Sequence, residues 1–306
     1  MPSATTSTLR PNLLPDIDLH CPTTFDDIFR HLGDGAFVLA GGTDMVLWAS
    51  QNGKPNHLVW TGGVDELHGV DIEADQIRIG AAVSLSRIIR CGDFRQAATA
   101  VADGAQLIGS VQLRNQATLV GNLCTASPAG DTIPGLVVHD TIVEIASASG
   151  QQRAINITDF LVGPGKTDLN TDEIVTAVRL TPLRKDETSC FQRFTQREAL
   201  DLAFASIATR IAFEADGATI RDARLALGAV DKTVIEAPEA AAILQGRTLS
   251  DAALRECGDA AADTCSPISD HRASADFRRQ LIRALIVDVV SEAGRRINIS
   301  PRELGA

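Results

Sequence analysis

The first stretch whose residue types suggest chemistry is VLAGGTDMVLW, residues 38–48. An apolar run stops at Gly41 and Gly42, and a second apolar run begins after Thr43 and Asp44. Paired glycines at the end of a strand let a ligand approach the backbone, because no Cβ is in the way. Amide groups that open a following helix favour an anion such as a pyrophosphate. The stretch therefore indicates either a nucleotide phosphate site or a plain tight turn.

A second unusual stretch is IGSVQLRNQATLVGNLCTASPAGDTIPGL, residues 108–136. It is rich in Gly, Asn, Thr, Ser and Pro, although it lies between a predicted helix and a predicted strand. Long structured loops tend to hold ligands, whereas the same composition is also compatible with a disordered insertion. The dinucleotide fingerprint G-x-G-x-x-G and the Walker lysine motif are both missing, which argues against an ordinary Rossmann domain.

Composition narrows the classes of function. The 306 residues carry a net charge of −11, so we expect no nucleic-acid partner, because that affinity comes largely from Lys and Arg. The six cysteines and six histidines are scattered, which predicts free thiols and no metal site. No apolar run approaches the roughly 20 residues of a membrane span and no secretory signal is present, so we expect a cytoplasmic protein. Tyrosine is absent.

Local patterns place the first glycine pair between a strand and a helix. Thr24 is the predicted cap of a helix with one apolar face that ends at Gly33. The strand AFVLA, residues 36–40, follows it, and Thr43 is the predicted cap of a second helix through Trp48. These patterns predict a strand, a tight turn and a helix start at the candidate phosphate site.

The rest of the chain is predicted to form hairpins and then helices. Residues 69–83 and 141–157 predict β-hairpins, and residues 204–230 predict two strands that turn at Asp216-Gly217. The region after Pro238 is predicted to be mostly helical, and its last helix begins after Ser274. Proline and charge cluster at residues 182–186, where we place a domain boundary that separates residues 1–183 from residues 184–306.

Five motifs in one order give a specific resemblance. They are AGGTD, the 108–136 stretch, FLVGPGKTDLNTDEIV, REALDLA and DHRASADFRRQL. Together they resemble the FAD-binding subunit of the molybdenum hydroxylases, a family that includes the flavin domain of xanthine dehydrogenase and the medium subunit of carbon monoxide dehydrogenase. The resemblance extends over about residues 17–293.

The resemblance implies an α+β fold. A two-lobed FAD-binding domain of the vanillyl-alcohol-oxidase type would occupy residues 1–183, and a C-terminal three-stranded sheet with helices would occupy residues 184–306. It implies FAD in this chain, with molybdopterin and [2Fe–2S] clusters in partner subunits, since this chain lacks clustered cysteines. The chain would join a molybdenum-cofactor large subunit and a [2Fe–2S] small subunit in a heterotrimer. It would pass electrons to an external acceptor without a catalytic side chain.

The resemblance also assigns cofactor-binding residues. The residues that would wrap the FAD pyrophosphate are Leu39, Ala40, Gly41, Gly42, Thr43, Asp44 and Met45. The residues of the second glycine motif are Thr118, Leu119, Val120, Gly121 and Asn122. Asp131 would bind ribityl or ribose hydroxyls, Ile108 would line the cofactor, and the backbone of Val175 would approach the flavin. Arg193 would lie beside the isoalloxazine. A loop or helix cap remains the alternative for Asp131, and a solvated surface residue the alternative for Arg193.

Two positions depart from the family pattern. The second glycine motif reads T-[IL]-G-G-N in the family, and Val120 replaces its first glycine. A β-branched residue would be strained there if φ were positive, so either the dihedral is ordinary or the loop has shifted. In the strained case we expect Val120→Gly to raise FAD affinity. Leu202, in the REALDLA loop that would cover the flavin, stands where the carbon monoxide dehydrogenase branch has Tyr.

Two other functions stay open on the sequence. A stand-alone flavin oxidase would need a substrate pocket and a base, and the lack of Tyr counts against it. A non-catalytic assembly subunit that has lost FAD is the other alternative, and the replacement at Val120 supports it.

Overall fold

The computed structural model describes residues 17–45 and 57–298. Its strands are β1 (Asp18–His20), β2 (Phe37–Leu39), β3 (His57–Trp60), β4 (Val70–Ile72), β5 (Ile77–Gly80), β6 (Ile142–Ser147), β7 (Gln152–Asn156), β8 (Leu161–Gly163), β9 (Lys166–Thr167), β10 (Glu173–Leu180), β11 (Glu187–Phe194), β12 (Ala205–Phe213), β13 (Ile220–Gly228) and β14 (Ile235–Glu236). Its α-helices are α1 (Phe25–Gly33), α2 (Leu85–Arg90), α3 (Gly92–Ala97), α4 (Thr99–Leu107), α5 (Val111–Gln116), α6 (Leu119–Cys124), α7 (Ile133–Val138), α8 (Ile157–Phe160), α9 (Pro238–Leu244), α10 (Asp251–Thr264) and α11 (Ala275–Asn298).

The N-terminal part is a parallel sheet with the strand order β1-β3-β2, on which α1 packs. The predicted cap of α1 is confirmed, because Thr24 Oγ1 accepts a hydrogen bond from the Asp27 amide. Ile28 and Leu32 on the apolar face of α1 are buried. The predicted strand before the glycine pair is β2. The helix predicted from Thr43 to Trp48 lies, beyond Met45, outside the described residues.

The second sheet is antiparallel, with the strand order β4-β5-β10-β6-β7. Both predicted hairpins are confirmed, since β4 pairs with β5 and β6 pairs with β7. The helices α2 to α7 lie in the same part of the chain, and their apolar side chains share one buried core with this sheet. The 108–136 stretch forms α5, α6 and the start of α7, so the alternative of a disordered insertion is wrong.

The C-terminal sheet has the strand order β11-β12-β13-β14, and α9 to α11 cover it around a second buried core. The family resemblance implied a three-stranded sheet here, and the structure has a fourth strand. The additional strand, β14, is only two residues long and pairs with Ala226 and Leu227 of β13, so it is too short to produce an alternating pattern. The predicted turn between β12 and β13 is confirmed, because Gly217 adopts a φ of 67° and Asp216 Oδ1 accepts hydrogen bonds from the amides of Ala218 and Thr219.

Three packing contacts between elements position the candidate site. Helix α4 packs against β11, and α7 packs against both α4 and β13. The loop that precedes α7 therefore lies where helix α4 meets the C-terminal sheet. Among the described residues, no helix combines the length and apolar character needed to cross a bilayer.

Candidate functional site

The two glycine stretches, far apart in sequence, lie against each other in the fold. A Cβ on Gly41 would lie 2.0 Å from the carbonyl oxygen of Gln116, so only glycine fits at this position. Gly42 adopts a φ of 72°, which also favours glycine. Thr125 Oγ1 donates a hydrogen bond of 3.0 Å to Asp44 Oδ2 and thereby joins the first turn to the end of α6.

The second glycine motif forms the capped start of helix α6. Thr118 Oγ1 accepts a 2.9 Å hydrogen bond from the Gly121 amide. Val120 lies inside α6 with a negative φ, and only 4% of its surface is exposed. A β-branched side chain is unstrained in such a conformation. The dihedral is therefore ordinary, and the condition under which Val120→Gly would raise FAD affinity is not met.

Asn122 connects this helix to the loop that carries Asp131. Its Oδ1 accepts a 2.7 Å hydrogen bond from Thr132 Oγ1, and Thr132 is completely buried. On the other side of the loop, a Cβ on Gly104 of α4 would lie 2.2 Å from the carbonyl oxygen of Asp131. Glycine at this position lets the Asp131 backbone pack directly on the helix. The Asp131 loop is thus fixed between α4 and α6.

Asp131 and Arg193 form a buried ion pair. The Arg193 side chain is 4% exposed and the Asp131 side chain 7% exposed, and Nη1 of Arg193 donates to Oδ2 of Asp131. Arg193 also donates to the carbonyl oxygens of Leu107 and Asp201. The alternative of a solvated surface residue is therefore wrong for Arg193. The pair joins the end of β11 to the loop before α7.

The second carboxylate oxygen of Asp131 takes no part in this ion pair. Oδ1 is buried and has no hydrogen-bond partner among the residues that the structure describes. A buried acceptor without a donor is costly, and native structures rarely contain one. Because a carboxylate only accepts hydrogen bonds, the missing partner must be a donor, such as the hydroxyl of a ligand. This atom fits the ribityl or ribose hydroxyls that FAD carries.

Burial is the main cause of the shifted pKa of the Asp131 carboxyl group. Burial raises the pKa of Asp131 to about 6, although the Arg193 guanidinium acts in the opposite direction. At pH 7 and above the group is a carboxylate and keeps its acceptor character. Acidification through pH 6 would add a proton and remove one acceptor position.

Ile108 lies next to a residue that contacts the ion pair, whereas Val175 lies in strand β10. Ile108 follows Leu107, whose carbonyl oxygen accepts from Arg193, and its own carbonyl oxygen accepts from Arg114 at 2.8 Å. It is therefore next to the ion pair along the chain. Val175 is buried in β10, a strand that α6 contacts, and a β-bulge separates it from Ala177.

The REALDLA loop lies beside Arg193. Asp201 Oδ2 accepts hydrogen bonds from the amides of Gln196 and Arg197, and its carbonyl oxygen accepts from Arg193. These bonds fix the backbone of the loop. Leu200 and Leu202 remain about half exposed, and Leu200 adopts a φ of 55°. The loop therefore presents an aliphatic surface, and the carboxylate and backbone amides inside it hold its shape.

A cleft of ≈ 550 Å³ opens next to this loop. The aromatic part of its wall consists of Phe194, Phe204 and Phe277, whose rings meet edge to face at centroid distances of 6.0 and 6.1 Å. Phe194 follows Arg193 directly in the chain. The cleft therefore borders the REALDLA loop, from which Asp201 contributes to its wall.

Sequence reasoning missed the residue that holds the base of this loop. Arg278 is buried, donates to both carboxylate oxygens of Asp270, and donates to the carbonyl oxygen of Phe204 at 2.6 Å. Both residues belong to the motif DHRASADFRRQL, which supported the resemblance but received no role. The spacing of an acid and an arginine, eight residues apart, was the pattern that could have predicted this pair.

Sequence reasoning also missed Thr125 and Thr132, which connect the glycine segments to the Asp131 loop. Apart from their polarity, nothing in the sequence pattern indicates this role.

Cys124, at the end of the second glycine motif, is inert. Burial raises the pKa of its thiol to about 12. A thiolate is the reactive form of cysteine, so this residue fills space and does no chemistry near pH 7.

Comparison with known families agrees with this geometry. Residues 15–182 match the family described as the FAD binding domain in molybdopterin dehydrogenase, and residues 190–293 match the CO dehydrogenase flavoprotein C-terminal domain. The chain is 30% identical over 279 residues to the xanthine dehydrogenase FAD-binding subunit of Escherichia coli O157:H7, and the match covers 90% of this chain and 94% of the relative. It is 29% identical over 286 residues to the nicotine 6-hydroxylase medium subunit of Paenarthrobacter nicotinovorans, with 92% and 99% covered.

Solved structures show the same fold. A chain of the carbon monoxide dehydrogenase from Hydrogenophaga pseudoflava superposes with a TM-score of 0.87 at 24% identity, over 92% of this chain and 99% of that one. A chain of quinoline 2-oxidoreductase from Pseudomonas putida 86 also superposes with a TM-score of 0.87 at 24% identity, over 93% and 99%.

Proposed function

Because this chain belongs to the family of FAD-binding subunits of the molybdopterin dehydrogenases, we propose that it works as the electron-transfer subunit of such an oxidoreductase complex. It would receive electrons from a [2Fe–2S] partner subunit and deliver them to an external acceptor. Its own cysteines are too scattered to hold an iron–sulfur cluster. The clusters and the molybdenum cofactor are therefore assigned to partner chains.

The observation that carries the proposal is Oδ1 of Asp131, which has no partner within residues 17–45 and 57–298 and belongs to a loop packed on the second glycine segment. Gly41 and Gly42 expose backbone in the first turn, and Thr118, Gly121 and Asn122 belong to the segment packed against it. We assign the pyrophosphate to these segments and a ribityl or ribose hydroxyl to Asp131. FAD, when bound, accepts and releases the electrons. The division at residue 183 and the two-lobed vanillyl-alcohol-oxidase-type arrangement are part of the same proposal.

Each remaining residue would bind or orient the cofactor without a chemical step of its own. Arg193 fixes the Asp131 carboxylate and carries a positive charge at the flavin side of the site, with the Asp201 loop held against it.

Ile108 and the backbone of Val175 would line the cofactor. The aliphatic surface of Leu200 and Leu202 would exclude water and let an acceptor approach.

The two alternatives have less support. The assembly-subunit alternative rested on strain at Val120, and that residue is an unstrained part of helix α6. A stand-alone oxidase needs a base at its substrate. His139, a buried histidine near the C-terminal sheet, is bonded to Thr181 and Ser189 inside the protein, so it cannot serve as that base.

The proposal is tested by flavin content. We expect the purified chain to carry about one FAD and Asp131→Asn to retain FAD at least about tenfold more weakly, since a hydrogen bond to a charged group contributes roughly 1.5–3 kcal/mol. Asp140→Asn is the matched control, because Asp140 also pairs with an arginine, Arg224, but is half exposed. Flavin released from denatured protein, measured against protein concentration, decides the result.

Two outcomes would contradict the proposal. A colourless wild-type chain that does not bind added FAD would leave an assembly role. Oxidation of an organic substrate by the chain alone, with oxygen as acceptor, would support the stand-alone oxidase. In the assembled complex, we expect substrate to reduce the flavin only when the iron–sulfur subunit is present.

A further inference from the structure

A cluster of imidazole and carboxylate groups lies outside the candidate FAD site. Asp18 and His57 are direct partners in the register of the parallel strands β1 and β3. His20 is two residues beyond Asp18, and alternate residues of a strand point to the same face of the sheet. The parallel pairing therefore brings three potential ligands to one face, although they come from distant parts of the sequence.

The distances in this cluster suit a metal ion better than hydrogen bonds. Asp18 Oδ2 lies 3.5 Å from His20 Nε2 and 3.5 Å from His57 Nδ1, whereas a good hydrogen bond between nitrogen and oxygen measures roughly 2.7–3.2 Å. The three ligand atoms all lie within 4.8 Å of one another. In a tetrahedral zinc site with bonds of about 2.0–2.1 Å, the ligand atoms are separated by about 3.3 Å.

A fourth side chain holds one of the imidazoles in place. His31 of α1 stacks on His20, with ring centroids 3.7 Å apart and planes inclined by 12°. The His57 ring is also nearly parallel to that of His20, at 6.2 Å. This stacking restricts rotation of the His20 ring. Binding of an ion therefore costs less side-chain conformational entropy.

The cluster is open to solvent and separate from the glycine turn. The side chains of Asp18, His20 and His57 are 60%, 26% and 51% exposed. Asp18 and His57 are the first residues of their strands, whereas the glycine pair follows the carboxyl end of the parallel strand β2. An ion can therefore enter from solution without passing the FAD site.

We propose that Asp18, His20 and His57 form a binding site for a divalent transition metal ion such as Zn²⁺, with water completing the coordination. Two imidazole nitrogens and one carboxylate oxygen favour Zn²⁺, Ni²⁺ or Cu²⁺ over Mg²⁺ and Ca²⁺, which prefer all-oxygen ligands. The ion would link β1 to β3 and stabilise the N-terminal sheet. The sequence suggested no ligand set, because His20 and His57 are far apart along the chain.

The test uses the full-length flavin-containing chain after treatment with a chelator. Calorimetric titration with Zn²⁺ should give one ion per chain, and Mg²⁺ should give no binding. His57→Ala should weaken Zn²⁺ binding at least about tenfold, since one of three protein ligands is lost. Asp18→Asn should also weaken it, which keeps the test valid if one variant folds poorly. Melting temperatures in chelator show whether each variant is folded.

Two control variants separate this site from other metal-binding groups. His271→Ala removes an exposed histidine elsewhere, and Cys21→Ser removes the exposed thiol next to His20. Both should bind Zn²⁺ within about twofold of wild type. The proposal is overturned if folded His57→Ala and Asp18→Asn bind as wild type does, if Cys21→Ser abolishes binding, or if wild type binds no Zn²⁺ at millimolar concentration.

Discussion

At the scale of single residues, burial decides what each candidate group does. Arg193 is a charged residue in a strand, and the sequence left its exposure open. In the fold it is buried against Asp131, so its charge is compensated and its guanidinium is fixed. The conformation of Val120 also depends on the fold. Its φ is helical, so valine is unstrained where the family has glycine.

The expectation for Val120→Gly is consequently reversed. We expect this substitution to lower the free energy of unfolding by about 3 kcal/mol, from the lost burial of a valine and the poor helix propensity of glycine. FAD affinity should not rise. Val120→Ala is the control, and it should cost about 1 kcal/mol less because alanine favours a helix. Denaturant unfolding and flavin titration of both variants measure these effects, and tighter FAD binding by Val120→Gly would contradict the unstrained conformation.

At the scale of elements, close backbone contacts bring the binding segments together. The turn after β2 touches the end of α5 through Gly41, and the Asp131 loop touches α4 through Gly104. The REALDLA loop is held from inside by Asp201 and at its base by Arg278. Each contact joins an irregular segment to a helix or strand, so the site has a defined shape although it is built largely from turns.

Gly41→Ala tests the first of these contacts. The added methyl group would overlap the Gln116 carbonyl, so the turn must move away from α5, and we expect most bound FAD to be lost. Gly33→Ala is the matched control, because a Cβ on Gly33 meets no atom of the described residues within 4 Å. Flavin content and melting temperature of the two variants give the comparison. Equal flavin content would show that the turn does not bind FAD.

At the scale of the whole molecule, a polar network connects the two buried cores. His139 is fully buried and donates from Nδ1 to the Thr181 carbonyl, and its Nε2 accepts from the Ser189 hydroxyl. Ser189 Oγ also accepts from the Ala100 amide.

Arg296 of α11 donates to Asp103 of α4 and to the Ser189 carbonyl. The C-terminal helix and sheet are thereby fixed to the helix that supports the Asp131 loop.

This network gives the fold a pH dependence. Burial lowers the pKa of His139 to about 4, whereas an unfolded histidine has a pKa of about 6.5. The unfolded chain therefore binds more protons between these values, and stability falls as the pH drops through 6.5 towards 4. Between pH 7 and pH 5 the loss from this one group amounts to about 2 kcal/mol.

His139→Gln isolates that contribution. Its free energy of unfolding, measured with denaturant at pH 7 and pH 5, should fall by about 2 kcal/mol less than that of wild type. Asp131, whose raised pKa acts with the opposite sign, is present in both proteins and cancels in the comparison. An identical pH dependence of the two proteins would show that His139 is protonated in the folded state as readily as in the unfolded state.

The sequence by itself determined the features that depend on neighbouring residues. The cap and apolar face of α1, the β4–β5 and β6–β7 hairpins, the Asp216-Gly217 turn and the two glycine stretches can all be found from short patterns. The five ordered motifs identified the family, because their residue types and order are specific even where no contact is known.

Only the tertiary structure decided which of these segments meet and in what state. It brought Gly41 against Gln116, paired Asp131 with Arg193 and left Oδ1 of Asp131 without a partner in the described part of the chain. It also gave Val120 its helical dihedral, added β14 and gathered Asp18, His20 and His57 on one sheet face. Periodicity and turn chemistry act over a few residues, whereas burial, strand register and long-range contacts depend on how the whole chain packs.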